Sequence, residues 1–254
     1  MTGARQVDER YRAPALDKGL DILELLDGQP RGMTRAEIVK AMGRGPSEIY
    51  RMLERLVARD YVSRSAEGDR YALTMKLFLL AHHHPPVRRL VTRALPLMDA
   101  FARRAQQSCH LVAPDRDAAI VIAQATCPGN WEFGIRVGSL IDLLGTGSGR
   151  TLLAFQDPHA TEDASAMWNS DARNAELASL HGELEESRRL GYRIGRSRQI
   201  QGIDDISVPI RAPGGHAVAV LTCPYIQRLD GQHQPSESEV LDLLRDVATR
   251  LSVT

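Results

Sequence analysis

The chain has 254 residues, 43% of them hydrophobic, enough to bury a core and form one large domain or two modest ones. Lys+Arg and Asp+Glu both total 32, so the formal charge of zero gives no global sign of a polyanionic partner, and only its local distribution can. Three scattered cysteines, Cys109, Cys127 and Cys223, argue against a disulfide framework or zinc site; with no apolar signal core and no run near the roughly 18 residues of a membrane span, a soluble cytoplasmic protein is expected.

From Leu16, apolar residues at 16, 20, 23 and 26, with Ile22 and Leu25 alongside, predict a first helix ending at Gly28 and Pro30. Thr34-Arg35-Ala36-Glu37 has the form of a capping box and opens a short second helix with Ile38, Val39 and Met42 inward, closed by Gly43. A third helix follows in GPSEIYRMLERL, with Gly45 as N-cap, Pro46 at the first helical position and Glu48 at the positive end of the dipole. Ile49, Met52, Leu53, Leu56 and Val57 form its core stripe. Only Gly43, Arg44 and Gly45 separate helices two and three, the length of a helix-turn-helix turn. Residues 61–64 and 70–73, joined across Ala66-Glu67-Gly68-Asp69, predict a hairpin, so three helices and a hairpin make a winged helix-turn-helix.

Opposite the core stripe lie Ser47, Arg51, Glu54 and Arg55, flanked by Glu48 and Tyr50. Across residues 31–64, eight basic residues stand against four acidic ones, so the neutral total hides a basic patch. Such charges also solvate small helical bundles; the short turn and the wing together favour duplex DNA. Ser47, Glu48, Tyr50 and Arg51, in the first turns of helix three, are assigned to base edges: Arg51 suits guanine, and Glu48 either accepts from a cytosine amino group or caps the helix. Thr34, Arg35, Arg44, Arg55, Arg64 and Arg70 complete the DNA-binding set, with Arg35, Arg44, Arg64 and Arg70 as phosphate contacts.

The blocks ALDKGLDILELL, MTRAEIVKAMG, SEIYRMLERLVARDYVSR and DRYALTMKLFLLA resemble those of the IclR family of bacterial transcriptional regulators, and later blocks extend the likeness over nearly the whole chain. One departure is Gly45-Pro46-Ser47-Glu48, where the family usually opens the recognition helix with a Pro-Lys-Ser-Thr kind of run. The operator therefore cannot be borrowed from relatives. The apolar helix 74–81 is too apolar to lie alone on a surface, and the resemblance implies that it is a linker helix packed on a second copy. His82-His83-His84-Pro85-Pro86 breaks it. Consecutive histidines diverge on a helix, so no metal site is expected there.

Further along, 91–104 and 177–190 read as helices, the latter stopped by Gly191; 109–113, 119–125 and 133–137 read as strands, 206–211 and 217–223 as a hairpin around Pro213-Gly214-Gly215, and 236–251 as a closing helix. The fold class is α+β on an antiparallel sheet, and the resemblance implies a GAF-like effector-binding domain. Gly145-Thr146-Gly147-Ser148-Gly149-Arg150-Thr151 lacks the lysine and spacing of a nucleotide-binding P-loop and the serine position of a nucleophile elbow. It opens a predicted helix 150–155 whose amides form an anion site; the blander alternative is a glycine turn for close packing. VGSLIDLLGTGSGRTLLA and GYRIGRSRQIQGIDDISVPIRAPGGHAVAVLTCPY match the family blocks that wall the effector pocket. Relatives often carry an acidic run where this chain has Gly195-Arg196-Ser197-Arg198, and a small residue near Asp205. The expected ligand is a small carboxylic acid, aromatic in one version, seated among Phe133, Leu143, Gly145, Thr146, Gly147, Ser148, Arg196, Asp205 and Thr222, with Arg196 and Arg198 adding positive charge and Trp131 or Phe133 an apolar wall.

These observations predict a ligand-responsive regulator of catabolic genes: a winged helix over 13–74, a linker over 75–87 and an effector domain over 88–254. Its expected partners are a pseudo-palindromic duplex operator, a small carboxylate effector and a second copy of the chain, with a dimer of dimers left open and no cofactor or metal. Two rivals stay open: a small-molecule enzyme with an accessory winged helix, whose candidates His110, His216, Cys109 and Cys223 show no pairing of nucleophile with base, and a DNA-binding protein whose second domain only oligomerises.

Overall fold

The computed structural model describes residues 13–67, 69–82, 85–128, 133–228 and 234–252. Gly68 of the wing turn, His83, His84 and Trp131 lie outside them. The chain divides into two compact units, Met1–Pro85 and Pro86–Thr254. Among the described residues no helix is long and apolar enough to cross a membrane.

The first unit is a winged helix-turn-helix. Its helices are α1 (Pro14–Asp27), α2 (Arg35–Met42), α3 (Pro46–Ala58) and α4 (Lys76–His82). A small antiparallel sheet runs β1-β3-β2, from β1 (Met33–Thr34), β3 (Arg70–Leu73) and β2 (Val62–Arg64). Both halves of the capping box form: the Glu37 amide donates to Thr34 Oγ1 at 3.3 Å and the Thr34 amide to Glu37 Oε2 at 2.7 Å. Gly43 closes α2 at φ 60°, a left-handed conformation that suits glycine and turns the chain sharply into α3. Ile22, Leu26, Ile38, Ile49, Leu53, Val62 and Tyr71 make the core, and each fully buried Leu or Ile contributes roughly 1.5–3 kcal/mol by leaving water. The predicted face of α1 is rotated: Ile22 and Leu26 point inward, whereas Leu16 is 61% exposed and Leu20 is exposed too. The α1 stripe is broad enough to supply both faces, and only tertiary packing selects the inner one.

The second unit is an antiparallel sheet of order β6-β5-β4-β9-β8-β7 with helices on both faces. Its strands are β4 (Cys109–Asp115), β5 (Ala118–Ala125), β6 (Leu140–Ile141), β7 (Arg193–Arg196), β8 (Ile203–Arg211) and β9 (Ala217–Ile226). α5 (Pro85–Ala105) and α10 (Glu237–Leu251) bury Met98, Phe101, Val240 and Leu244 against Leu111, Ile206, Leu221 and Cys223 on one face. On the other, α6 (Gly147–Phe155), α7 (Pro158–Trp168) and α9 (His181–Leu190) bury Leu152, Leu153, Ala164 and Leu184 against Val112, Val121 and Val220. Strand alternation therefore sends Asp205, Ser207, Thr222 and His110 to the α6 face.

Several elements differ from their sequence reading. The segment 133–137 is not a strand: the chain turns at Gly138 (φ 89°) and pairs with β5 only afterwards, through β6, because Gly138 donates to the Val121 carbonyl and Val121 to that of Ser139. The single helix 177–190 is two, α8 (Asp171–Ser179) capped by Ser170 and then α9, broken where Leu180 turns its amide back to the Glu176 and Leu177 carbonyls. α6 begins three residues earlier than expected, because Thr146 caps it by accepting from the Gly149 amide at 3.0 Å. α5 opens on Pro85, not at 91, since proline is tolerated in a first turn. α7 and the short strand β7 went unpredicted.

Candidate functional site

On the first unit, Ser47, Tyr50, Arg51 and Arg55 stand exposed on the outward face of α3, and Arg44 is exposed in the turn before it. Arg35 of α2 lies over the Tyr50 ring at 5.6 Å, a cation–π contact that ties α2 to the outward face of α3. Thr34 is committed to capping α2. Two of the sequence-assigned contacts are tied to the body of the domain. Glu48 accepts from Lys18 Nζ of α1 at 2.7 Å, and that hydrogen bond holds its carboxyl below the usual range, so it braces α3 against α1. Arg70 donates to the Gly32 carbonyl at 3.0 Å and lies 3.8 Å from Glu37. On the wing, Arg64 is 3.7 Å from Glu54 and over the Tyr71 ring at 5.8 Å. Lys18 was invisible to local reasoning because its partner is 30 residues away.

On the second unit the α6 face of the sheet carries one polar row. His110 on β4 is the register partner of Thr222 on β9, Thr222 of Ser207 on β8, and Ser207 of Arg193 on β7. Ser148, in the first turn of α6, closes on this row: its hydroxyl donates to Thr222 Oγ1 at 2.9 Å and lies 3.1 Å from His110 Nε2, while the Thr222 and Ser207 hydroxyls are 2.9 Å apart. All four of these side chains are buried. Burial alone pulls the His110 imidazole down to about 4, so it is neutral near pH 7.

Beside this row, burial pushes the carboxyl of Asp205 on β8 above the usual carboxylate range, although Arg193, the Gly147 amide and the Ser197 hydroxyl nearby oppose the rise. Arg193 Nε donates to Glu183 Oε1 at 2.7 Å, and Arg150 Nη1 to Glu183 Oε2 at 2.6 Å, so one carboxylate of α9 bridges two buried guanidiniums. Of the nine sequence-assigned ligand residues, Gly147, Ser148, Asp205 and Thr222 converge here, with Thr146 framing them as the α6 cap. Leu143 belongs to the apolar core, the Gly145 amide is bound to Asp142 at 2.6 Å, and Phe133 is half-buried in the segment after β5. Arg196 lies at the exposed edge, 3.8 Å from Asp204. Sequence reasoning did not place His110, Ser207, Arg193, Arg150 and Glu183 in this cluster. The alternation of Asp205 and Ser207 with Ile206 and Val208 was the one local signal available.

The glycines of α6 allow this convergence. A Cβ on Gly149 would run into the Asp142 carbonyl and the Leu143 Cα, backbone that cannot rotate away. Gly149→Ala is expected to cost about 1–3 kcal/mol, seen as a fall of roughly 2–4 °C per kcal/mol in the thermal midpoint. An unchanged midpoint would mean that α6 does not seat this closely.

Residues 86–253 match the family model described as bacterial transcriptional regulator IclR C-terminal, and residues 15–66 the IclR helix-turn-helix domain. The chain is 26% identical over 212 residues to the HTH-type transcriptional regulator KdgR of Escherichia coli (strain K12), covering 82% of this chain and 80% of that one. It is 26% identical over 247 residues to the glycerol operon regulatory protein of Streptomyces coelicolor, covering 94% of each. Among solved structures, an IclR homolog from Microbacterium hydrocarbonoxydans complexed with 4-hydroxybenzoate superposes with a TM-score of 0.74 at 20% identity, over 94% of this chain and 97% of that one. The latter establishes a shared fold.

Proposed function

We propose that this chain, which belongs to the IclR family of bacterial transcriptional regulators, reads duplex DNA through the outward face of α3 and answers to a small carboxylate bound at the α6 face of its sheet. The observation that carries the first half is the exposed set Ser47, Tyr50, Arg51 and Arg55 on a helix whose opposite side is locked into the core by Ile49 and Leu53. Tyr50 and Arg51 read base edges; Arg44 and Arg64 hold phosphate. Glu48 and Arg70 instead stiffen the domain through Lys18 and Gly32.

The winged helix spans 13–74, the linker 75–87 and the effector domain 88–254 in this reading. A second copy covers the exposed Leu77, Phe78, Leu79 and Leu80 of α4. A two-fold dimer then presents two α3 helices to half-sites one helical turn or a multiple apart. Effector binding biases the spacing of the paired domains. The carboxylate chemistry is supported by the basic Arg193 and the amide-lined start of α6, and by the 4-hydroxybenzoate held by the Microbacterium relative. The His110–Ser148 contact brings a histidine to a hydroxyl, but among the described residues no carboxylate orients the ring, and both side chains are buried. We therefore expect no turnover of any acid that stabilises the protein.

DNA-affinity selection tests this reading: purified protein against fragmented DNA of its source, at two salt concentrations, with bound fragments sequenced. A shared inverted repeat that survives the higher salt supports it; enrichment without a repeat, lost with salt, would be counterion-driven binding alone. On the selected operator, Arg51→Ala is expected to lose about 1–3 kcal/mol of discrimination against random DNA, whereas Arg64→Ala weakens both alike. Equal losses from the two changes would overturn the division of labour.

A further inference from the structure

The start of α6 is already occupied by an anion belonging to the chain. The Asp205 carboxyl lies against Gly147, whose amide opposes the rise that burial imposes on its pKa. A Cβ added to Gly147 would lie 2.6 Å from Asp205 Cβ, 2.8 Å from Asp205 Oδ2 and 3.1 Å from Arg193 Nη1, so helix start, carboxylate and guanidinium meet at one point. The Arg193 side chain is only 9% exposed. Its Nε is satisfied by Glu183, but Nη1 is buried without a hydrogen-bond partner. A helix N-terminus carries partial positive charge, and a guanidinium edge prefers an oxyanion. Together they form an anion seat of which Asp205 takes the amide side and leaves Arg193 Nη1 unsatisfied.

Asp205 is an expensive group to keep there. Burial opposes its ionisation even with Arg193, Gly147 and Ser197 around it, and a carboxyl so perturbed beside an unsatisfied buried guanidinium nitrogen has the character of a functional-site group. The hydroxyls of Ser207 and Thr222 continue the row from Arg193, so an oxyanion entering the seat would lie next to further donors.

We propose that Asp205 is a tethered stand-in for an external carboxylate: it occupies the Gly147 side of a seat whose other side is the unsatisfied Arg193 Nη1, and a small acid binds by exchanging with it. The inference rests on the carboxylate-effector reading above and adds the residue that sets its threshold. Simple acids bind the native chain weakly because they compete with an intramolecular carboxylate at high effective concentration. Effective acids bring additional contacts.

The test uses full-length protein, with formate and acetate as probes, formamide and acetamide as neutral isosteres, and chloride at matched ionic strength. Binding is read by thermal shift and calorimetry. Asp205→Ala is expected to bind formate about ten-fold or more tighter than the unaltered chain, to ignore formamide, and to lose the gain when Arg193→Met is added. Asp205→Asn, whose side chain still fills the seat, should respond no more than the unaltered chain. Should the alanine variant fail to fold, Asp205→Ser carries the same comparison. Equal formate responses in the variant and the unaltered chain, or equal responses to formate and formamide, overturn the proposal. A seat opened in the variant while no acid stabilises the unaltered chain would uphold the tethered carboxylate and strike the acid-effector reading instead.

Discussion

Glu183→Ala is expected to destabilise the sheet-containing unit by about 3 kcal/mol, among the largest losses any single surface-proximal carboxylate in this chain would cause. Glu183 accepts from Arg193 Nε and Arg150 Nη1 at 2.7 and 2.6 Å, and the two guanidinium side chains are only 9% and 6% exposed. Removing the carboxylate strands two positive charges together inside the protein. Breaking a buried pair in this way costs roughly 3–5 kcal/mol, and the lower end applies because Glu183 itself is 35% exposed and water reaches its outer side. Arg150 retains one bond, from Nε to the Leu144 carbonyl at 2.7 Å, whereas Arg193 loses the contact that aims it at Gly147. Denaturant unfolding of the variant gives the stability loss directly. Replacing Glu183, Arg150 and Arg193 together by apolar chains of similar volume should recover most of it, since the desolvation cost of all three charges disappears with them. A Glu183→Ala midpoint equal to that of the unaltered chain would mean that water already screens the bridge. The functional consequence is separate: with Arg193 unanchored, the acid response should weaken even at temperatures where the variant stays folded.

The DNA-binding unit was largely legible in the sequence because its determinants are local. The spacing of Ile49 and Leu53 names the buried side of α3, Gly43 marks a turn that needs φ of 60°, and Thr34 with Glu37 forms a cap within four residues. What failed there was pairing across distance. Lys18 claims Glu48 and Gly32 claims Arg70, and neither partnership leaves a trace in nearby residues. The effector side was legible in kind but not in detail. Its two hairpins carry strong β signals, yet β6 has two residues and β7 four, too short for alternation to register. The segment 133–137 imitates a strand because isolated alternation says nothing of whether a neighbouring edge lies within reach. The start of α6 was misplaced because glycine at 147 and 149 lowers helix propensity, while the Thr146 cap and the fully buried packing that override it are tertiary facts. The same limit hid His110, Arg193 and Glu183 as members of the site. They come from three separate elements, and only the register His110–Thr222–Ser207–Arg193 joins two of them in one row.

That row makes stability depend on pH with a definite sign. His110 is buried and its imidazole is pulled from 6.5 to about 4 in the folded protein, so the unfolded chain takes up a proton more readily. The stability attached to neutral His110 is therefore fully present above about pH 6.5, declines as the pH falls, and is exhausted below about pH 4. The whole change amounts to roughly 3 kcal/mol, with a slope approaching 1.4 kcal/mol per pH unit. Asp205 works the other way: its raised carboxyl returns stability as the pH falls toward it, so the raw pH profile of the protein understates the His110 effect. Comparing the unaltered chain with His110→Gln isolates it, because glutamine can still hydrogen-bond Ser148 but has no proton to gain. Urea unfolding between about pH 7 and 4 should show the two curves converging as the pH drops. Parallel curves would mean that His110 titrates as it does in the unfolded chain, which requires water at its ring and an open row. In that case the Ser148 hydroxyl would be available to a ligand without breaking the bond to His110. Convergence instead implies that any ligand reaching Ser148 or Thr222 must first open a buried hydrogen-bond row, which selects for ligands that can replace the bonds it breaks.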